Sequence, residues 1–472
     1  MKTSRLLASA LLLLWLAGSA DAAKPPAEVP GLPAFGQDKP LKLPQVVEKR
    51  LDNGLTLWLI ERRGLPLISI YLASRVGRAS DPADRTGLSE VLTATLTQGT
   101  HTRTARQVAE RLQALGGELS VSAGKDATWL GLEGLAENSE GLMDLLADLV
   151  RNASYPEGEV KLAVENELAA IRASRAQPEY DLRQIFYKEV FGDHPYARVN
   201  PDPEAVARIT PAELRRAHRL RFSPDRMILV MVGDLDTTTM VKLARQTLGD
   251  WQPTNQPPPA VPVAPRQAAP KLLLLDRPGS VQSTILVGRP LPPAGAPQEI
   301  PLKVANTIFG GAFSSRLVRN IREDKGYTYS PHAWVRLWNQ GGLLQVQASV
   351  RNAVTAATLT EIFYEMDRLA TTLPTEEELH RAQRYLEGHF LLDNETGHAL
   401  AGTLVDYWIE GKTPADLERY VPAIQRVTRN QVRELAARWF ASRRQAVAIS
   451  GTAAEVKDQL EPFGPVEAAK AP

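Results

Sequence analysis

Arg208-Ile209-Thr210 opens a helical stretch that runs to Arg221-Phe222, passes into the apolar run 227–232 and ends on Gly233; Arg426-Val427-Thr428 opens another that runs to Trp439-Phe440, passes into 445–450 and ends on Gly451. Positions 208 and 426, 222 and 440, and 233 and 451 each lie 218 apart, with no gap between them. Arg215 and Arg433 keep that spacing, as do Arg226 and Arg444. Near the start of each copy, Ile60-Glu61-Arg62-Arg63-Gly64 stands against Leu275-Asp276-Arg277-Pro278-Gly279. A period this long is a duplicated domain, because solenoid repeats run to ~20–50 residues. Short strand-like runs at 55–61 and 67–74 mix with helical periodicity at 87–97, 105–115, 141–151 and 159–174. The expected fold is therefore α+β: two homologous domains, each a mostly antiparallel sheet backed by helices, facing each other as a clamshell.

The chain has 472 residues, enough for two to four domains of ordinary size. Hydrophobic residues make up 43% and charged residues 23%, the composition of a globular protein. Formal net charge is +1. A chain this close to neutral gives no electrostatic drive toward nucleic acid or an anionic membrane.

Residues 1–22 read as a secretion signal. Lys2 and Arg5 precede an apolar run over 6–18, and Ala20-Asp21-Ala22 is a small-x-small cleavage site. The run falls short of the ~20 residues that a spanning helix needs. With no cysteine, lipid attachment, disulfides and thiolate ligands are excluded. The expected location is secreted, in a bacterial periplasm, with no membrane contact once the signal is removed. A Pro-rich lead-in at 23–45 precedes the first domain, 46–251. A stiff Pro-rich linker at 252–270 leads to the second domain, 271–464, and a tail at 465–472.

The stretch Gly87-Leu88-Ser89-Glu90-Val91-Leu92-Thr93-Ala94-Thr95-Leu96-Thr97-Gln98-Gly99-Thr100 resembles a helix of the insulinase/pitrilysin peptidases, approximately G-L-A-H-x-x-E-H-M-x-x-x-G-T. Leu115-Gly116-Gly117, His194-Pro195-Tyr196, Val232-Gly233-Asp234 and Phe313-Ser314-Ser315-Arg316-Leu317 are similar to further motifs of that family, in its order. In H-x-x-E-H, two histidines four apart on one helix face bind zinc, and the glutamate between them is the general base. Glu90, Thr93 and Ala94 stand at those three positions. Glu167 matches the family's third ligand, a glutamate on a later helix. Catalytic zinc wants three protein ligands and a water, so two carboxylates are a poor site. The expected cofactor is none, with zinc only in a partner subunit. None of the seven histidines lies three or four residues from another, so no helical pair replaces the motif.

The resemblance also implies a retained element. Arg322-Glu323-Asp324-Lys325-Gly326-Tyr327-Thr328-Tyr329 matches the family's R-E-x-x-G-x-x-Y, whose arginine and tyrosine reach toward peptide bound at the metal. Arg322 and Tyr329 carry over as site residues acting in trans on a partner's substrate, with Tyr327 a neighbour of undefined role. Read without the family, the same segment is a charged helix end, a glycine stop and an aromatic strand. Some members of the family divide labour between one zinc-bearing chain and one that supplies the pair, and this sequence has the second pattern. The resemblance thus implies the non-catalytic, substrate-binding subunit of a heterodimeric zinc peptidase, with peptides as substrates. A structural or peptide-binding protein with no part in proteolysis is the competing expectation.

Overall fold

The computed structural model describes residues 44–265 and 270–471. The expected signal 1–22 and most of the lead-in therefore lie outside the described residues. Among the described residues twelve strands form two separate six-stranded mixed sheets. The first contains β1 (Val47–Arg50), β2 (Thr56–Glu61), β3 (Leu67–Ser74), β4 (Glu118–Ala123), β5 (Thr128–Leu135) and β6 (Met227–Gly233). The second contains β7 (Leu272–Asp276), β8 (Gln282–Leu291), β9 (His332–Trp338), β10 (Gly341–Arg351), β11 (Ala446–Gly451) and β12 (Val466–Ala469).

The spatial orders are β1-β2-β6-β3-β5-β4 and β12-β7-β11-β8-β10-β9. Five strands of each sheet correspond one to one, which is the duplication in three dimensions. The sixth differs in origin: β1 enters from the N-terminal end and runs antiparallel to β2, while β12 comes from the C-terminal end and runs parallel to β7. One pair of the first sheet is parallel and two of the second are; all others are antiparallel.

Each sheet has its own apolar core on the face that its helices cover. The central strands β6 and β11 are buried at every position, as near-continuous apolar runs between neighbours on both sides must be. The helices Pro211–Arg221 and Arg429–Trp439, 218 residues apart, both begin with a capping box, Thr210 with Glu213 and Thr428 with Gln431. Each box satisfies otherwise unpaired N–H groups at the first turn.

The opposite faces are covered by an exchange. The helix Tyr180–Phe191, from the first half, lays Leu182, Phe186, Tyr187, Val190 and Phe191 against Leu286, Ala446 and Ala448 of the second sheet. The helix Gly397–Ile409, from the second half, packs on β3 and β6 of the first sheet. There Arg75 donates to the Trp408 carbonyl and stacks 4.0 Å from the Trp408 ring centre. Arm exchange of this kind makes the halves interdependent, since neither sheet has both faces buried by its own half.

The hairpins add a polar joint. Tyr196 donates to Asp126 at 2.6 Å, and the backbone N–H groups of Asn339 and Gln340 donate to Asp126 and Tyr196 at 2.7 and 3.0 Å. Residues 252–265 form neither helix nor strand. Contacts near its C-terminal end pin this segment to both halves: His194 bonds to the Pro262 carbonyl at 2.7 Å, and Ala264 N–H donates to the Gln340 carbonyl at 2.7 Å. Among the described residues no helix is long and apolar enough to cross a membrane.

Candidate functional site

The motif helix spans Leu88–Thr95, shorter at both ends than the periodicity over 87–97 implies. Gly87 precedes it with φ 92°, a left-handed conformation that favours glycine and sets the sharp entry. Leu88, Val91 and Leu92, with Leu96 beyond the last turn, are buried in the first core, as the amphipathic pattern requires. An unforeseen network locks the helix start. Asp81 accepts from Ser89 N–H at 3.0 Å and from Ser89 Oγ at 2.8 Å, and it pairs with Arg221, which also donates to Ser89 Oγ at 2.8 Å. Asp81, Ser89 and Arg221 are all buried. The carboxylate does the work of an N-cap from outside the helix.

The polar face does not fit a zinc ion. The Thr93 hydroxyl turns back and donates to the carbonyls of Ser89 and Glu90, both at 3.0 Å, and Ala94 offers a methyl group. Glu90 Oε1 pairs with Arg78 at 3.4 Å, while its other oxygen is buried without a partner. Burial, with the nearby Asp81 charge, raises the Glu90 carboxyl above its ordinary range, and Arg78 opposes the rise. Glu167, on the helix Glu157–Arg175, is raised by burial and held down by the same arginine. The positive charge facing both carboxylates is thus a guanidinium supplied by the chain. Among the described residues no three histidine, aspartate or glutamate side chains are grouped to hold a metal ion. The buried histidines are packing residues: His218 bonds to Tyr155 Oη at 2.8 Å and the Val150 carbonyl at 2.8 Å, and burial drives its pKa down to about 4.

Arg322 and Tyr329 lie in the second half. Val318–Asp324 is a π-helix, a rare form that recurs at functional sites. Its end closes on Gly326 at φ 64°, with Tyr327 N–H bonded to the Ile321 carbonyl at 3.0 Å. No aromatic strand follows directly; the next strand begins at His332. Tyr327 packs against the second core, whereas Tyr329 is 78% exposed. The Arg322 guanidinium sits 4.2 Å from the Tyr329 ring centre and 4.6 Å from that of Phe313, which is 65% exposed. Arg322 is therefore held between two exposed aromatic faces, and Phe313 is the member of this group that sequence reasoning did not assign. Its signal was the aromatic residue that opens the run Phe313-Ser314-Ser315-Arg316-Leu317, just after the π-helix Thr307–Gly311. Among the described residues no hydrogen bond, ion pair or ring contact joins this group to Glu90, Thr93, Ala94 or Glu167.

A duplicated α+β chain that keeps the frame of an inverted zinc-motif helix, without its ligands, is a protein of peptidase fold lacking the metal site. Residues 66–201 match the family model described as insulinase (peptidase family M16), and residues 208–386 match that of the peptidase M16 inactive domain; the chain belongs to this family. It is 29% identical over 385 residues to an uncharacterized zinc protease of Mycobacterium leprae, covering 81% of this chain and 86% of that one. An uncharacterized zinc protease of Mycobacterium tuberculosis is 28% identical over 383 residues, 80% of this chain and 86% of its own. A crystal structure of a peptidase M16 inactive domain from Pseudomonas fluorescens matches with a TM-score of 0.79 at 22% identity, over 86% of this chain and 98% of that one. A Helicobacter pylori protease matches at 0.81 and 17% identity, over 87% and 100%.

Proposed function

We propose that this chain is the non-catalytic, substrate-binding subunit of a secreted heterodimeric zinc peptidase. The observation that carries the reading is the contrast between two faces. The motif helix presents Glu90, Thr93 and Ala94, with Arg78 paired to Glu90, while Arg322 and Tyr329 stand exposed and mutually stacked. A guanidinium stacked in this way keeps its N–H edge free to bind a peptide carbonyl or carboxylate, and an exposed phenol can donate to a developing oxyanion. The partner would be a family member that carries H-x-x-E-H and therefore the zinc, and peptides would be the substrates.

The test is reconstitution. Chain purified alone is mixed with a zinc-bearing family member encoded in the same organism, and peptide cleavage is followed. The expected result is a stable one-to-one complex that cleaves peptides when neither chain does so alone. A partner that is fully active without this chain, and unchanged by it, would overturn the proposal.

A further inference from the structure

A pocket of about 620 Å³ opens where the end of β8, the β9–β10 turn and the C-terminal end of the helix Arg429–Trp439 meet the linker. That volume is within the range of small-molecule sites. Three of its lining residues are arginines: Arg289, Arg438 and Arg444. None of the three forms an ion pair with a carboxylate among the described residues. Arg289 and Arg438 flank the Trp439 ring at 5.1 and 5.0 Å. Arg289 Nη1 donates to the Arg438 carbonyl at 3.2 Å, whereas its Nε–H and the Trp439 indole N–H are buried with no acceptor among the described residues. Burial and the charges of Arg444 and Arg438 push the Arg289 pKa down, the signature of cations crowded without an anion.

The other half of the chain shows what the same position does when it is purely structural. Arg226, the counterpart of Arg444 at 218 residues, places its two Nη groups on the Leu220 and Gln256 carbonyls and the Thr254 hydroxyl, while its Nε–H is buried without a partner among the described residues. Arg444 has no such partners among the described residues and lines the pocket.

We infer that this pocket binds a small ligand bearing an oxyanion, carboxylate or phosphate. The anion would sit among the guanidinium groups of Arg289, Arg438 and Arg444, and the ligand's apolar body would lie along Leu291 and Pro293, which line the same pocket. This site lies apart from the Arg322–Tyr329 group, and its ligand does not depend on a peptidase partner.

Calorimetric titration of the full chain, at ionic strength held constant with sodium chloride, uses inorganic phosphate in one arm and citrate in the other. Saturable one-to-one binding in either arm is expected, and the arm that binds more tightly identifies a phosphoryl or a carboxylate ligand. Arg444→Gln and Arg438→Gln, at exposed positions, should keep the wild-type melting temperature and weaken binding about tenfold or more each, as loss of a charged hydrogen bond does. Absence of saturable binding in both arms, or binding that both variants retain at wild-type affinity, would overturn the inference.

Discussion

Replacing Tyr329 by Phe removes one oxygen atom, and the structure separates its consequences for stability and for turnover. The residue is 78% exposed, and its hydroxyl makes no hydrogen bond to the chain among the described residues. Phe keeps the ring, so the stack on Arg322 at 4.2 Å survives. Folding stability should therefore move by less than about 0.5 kcal/mol, as for other surface changes away from special features. If the hydroxyl donates to an oxyanion at the partner's metal, its loss should lower turnover by on the order of 10²–10³ with little change in KM. Phe313→Ala is the companion variant. It strips one of the two aromatic faces from Arg322, an interaction worth about 0.5–1 kcal/mol at an exposed site. Its effect should be a several-fold rise in KM through a looser arginine. The assay is steady-state cleavage of a fluorogenic peptide by the reconstituted complex, with association checked by gel filtration and melting temperature by calorimetry. A Tyr329→Phe complex that assembles normally and turns over at the wild-type rate would refute the role assigned to the phenol.

The remaining predictions concern the metal, the buried pair and pH. Metal analysis of the isolated chain should find no stoichiometric zinc, whereas the combined variant Arg78→Ala, Glu90→His, Thr93→Glu, Ala94→His should gain zinc, because it removes the guanidinium and restores two imidazoles beside Glu167. Arg221→Met should lose about 3–5 kcal/mol in urea unfolding, since it strands the Asp81 carboxylate in the core; a loss below 1 kcal/mol would show that the network is unimportant. Burial drives the pKa of Lys125 down to about 7, from the ordinary lysine value of 10.5. Between those values the unfolded chain binds a proton that the folded chain does not, so the Lys125 contribution to stability rises with pH from about 7 to 10.5. Denaturant titrations at pH 7 and pH 9 should show wild type gaining relative to Lys125→Met, and equal changes in both would count against it.

Periodicity and repetition made most of the fold legible before any coordinates. The run 67–74 is β3 to the residue, and 218-residue spacing recovers the paired capped helices and the paired central strands. Apolar patterning could not reveal which sheet a helix covers. The Tyr180–Phe191 and Gly397–Ile409 helices are only weakly amphipathic, and their exchange between halves depends on chain path rather than composition. The Asp81–Ser89–Arg221 network was invisible for a similar reason: its members are 8 and 132 residues apart, and each looks like a surface residue in isolation. Arg322 and Tyr329 were reached through a motif, but the aromatic partner at Phe313 needed the loop geometry.

The motif helix shows why a peptidase frame can outlive its chemistry. Leu88, Val91 and Leu92 are constrained by the first core, where a shortened side chain would leave a cavity costing about 2–5 kcal/mol. Gly87 is constrained by its φ of 92°, and Ser89 by Asp81 and Arg221. Those constraints act on one side of the helix only. Ala94 is exposed and Thr93 bonds only to its own helix, so the core places no demand on either. Glu90 is different, because a half-buried carboxylate needs a counter-charge, and Arg78 supplies one at 3.4 Å. Once that pairing exists, a divalent cation would have to displace a guanidinium and find two further ligands that the helix lacks. The packing face thus preserves the shape of the domain while the polar face is committed to an ion pair, so that under the proposed function the exposed Arg322–Tyr329 stack is the part of the chain that would touch a substrate.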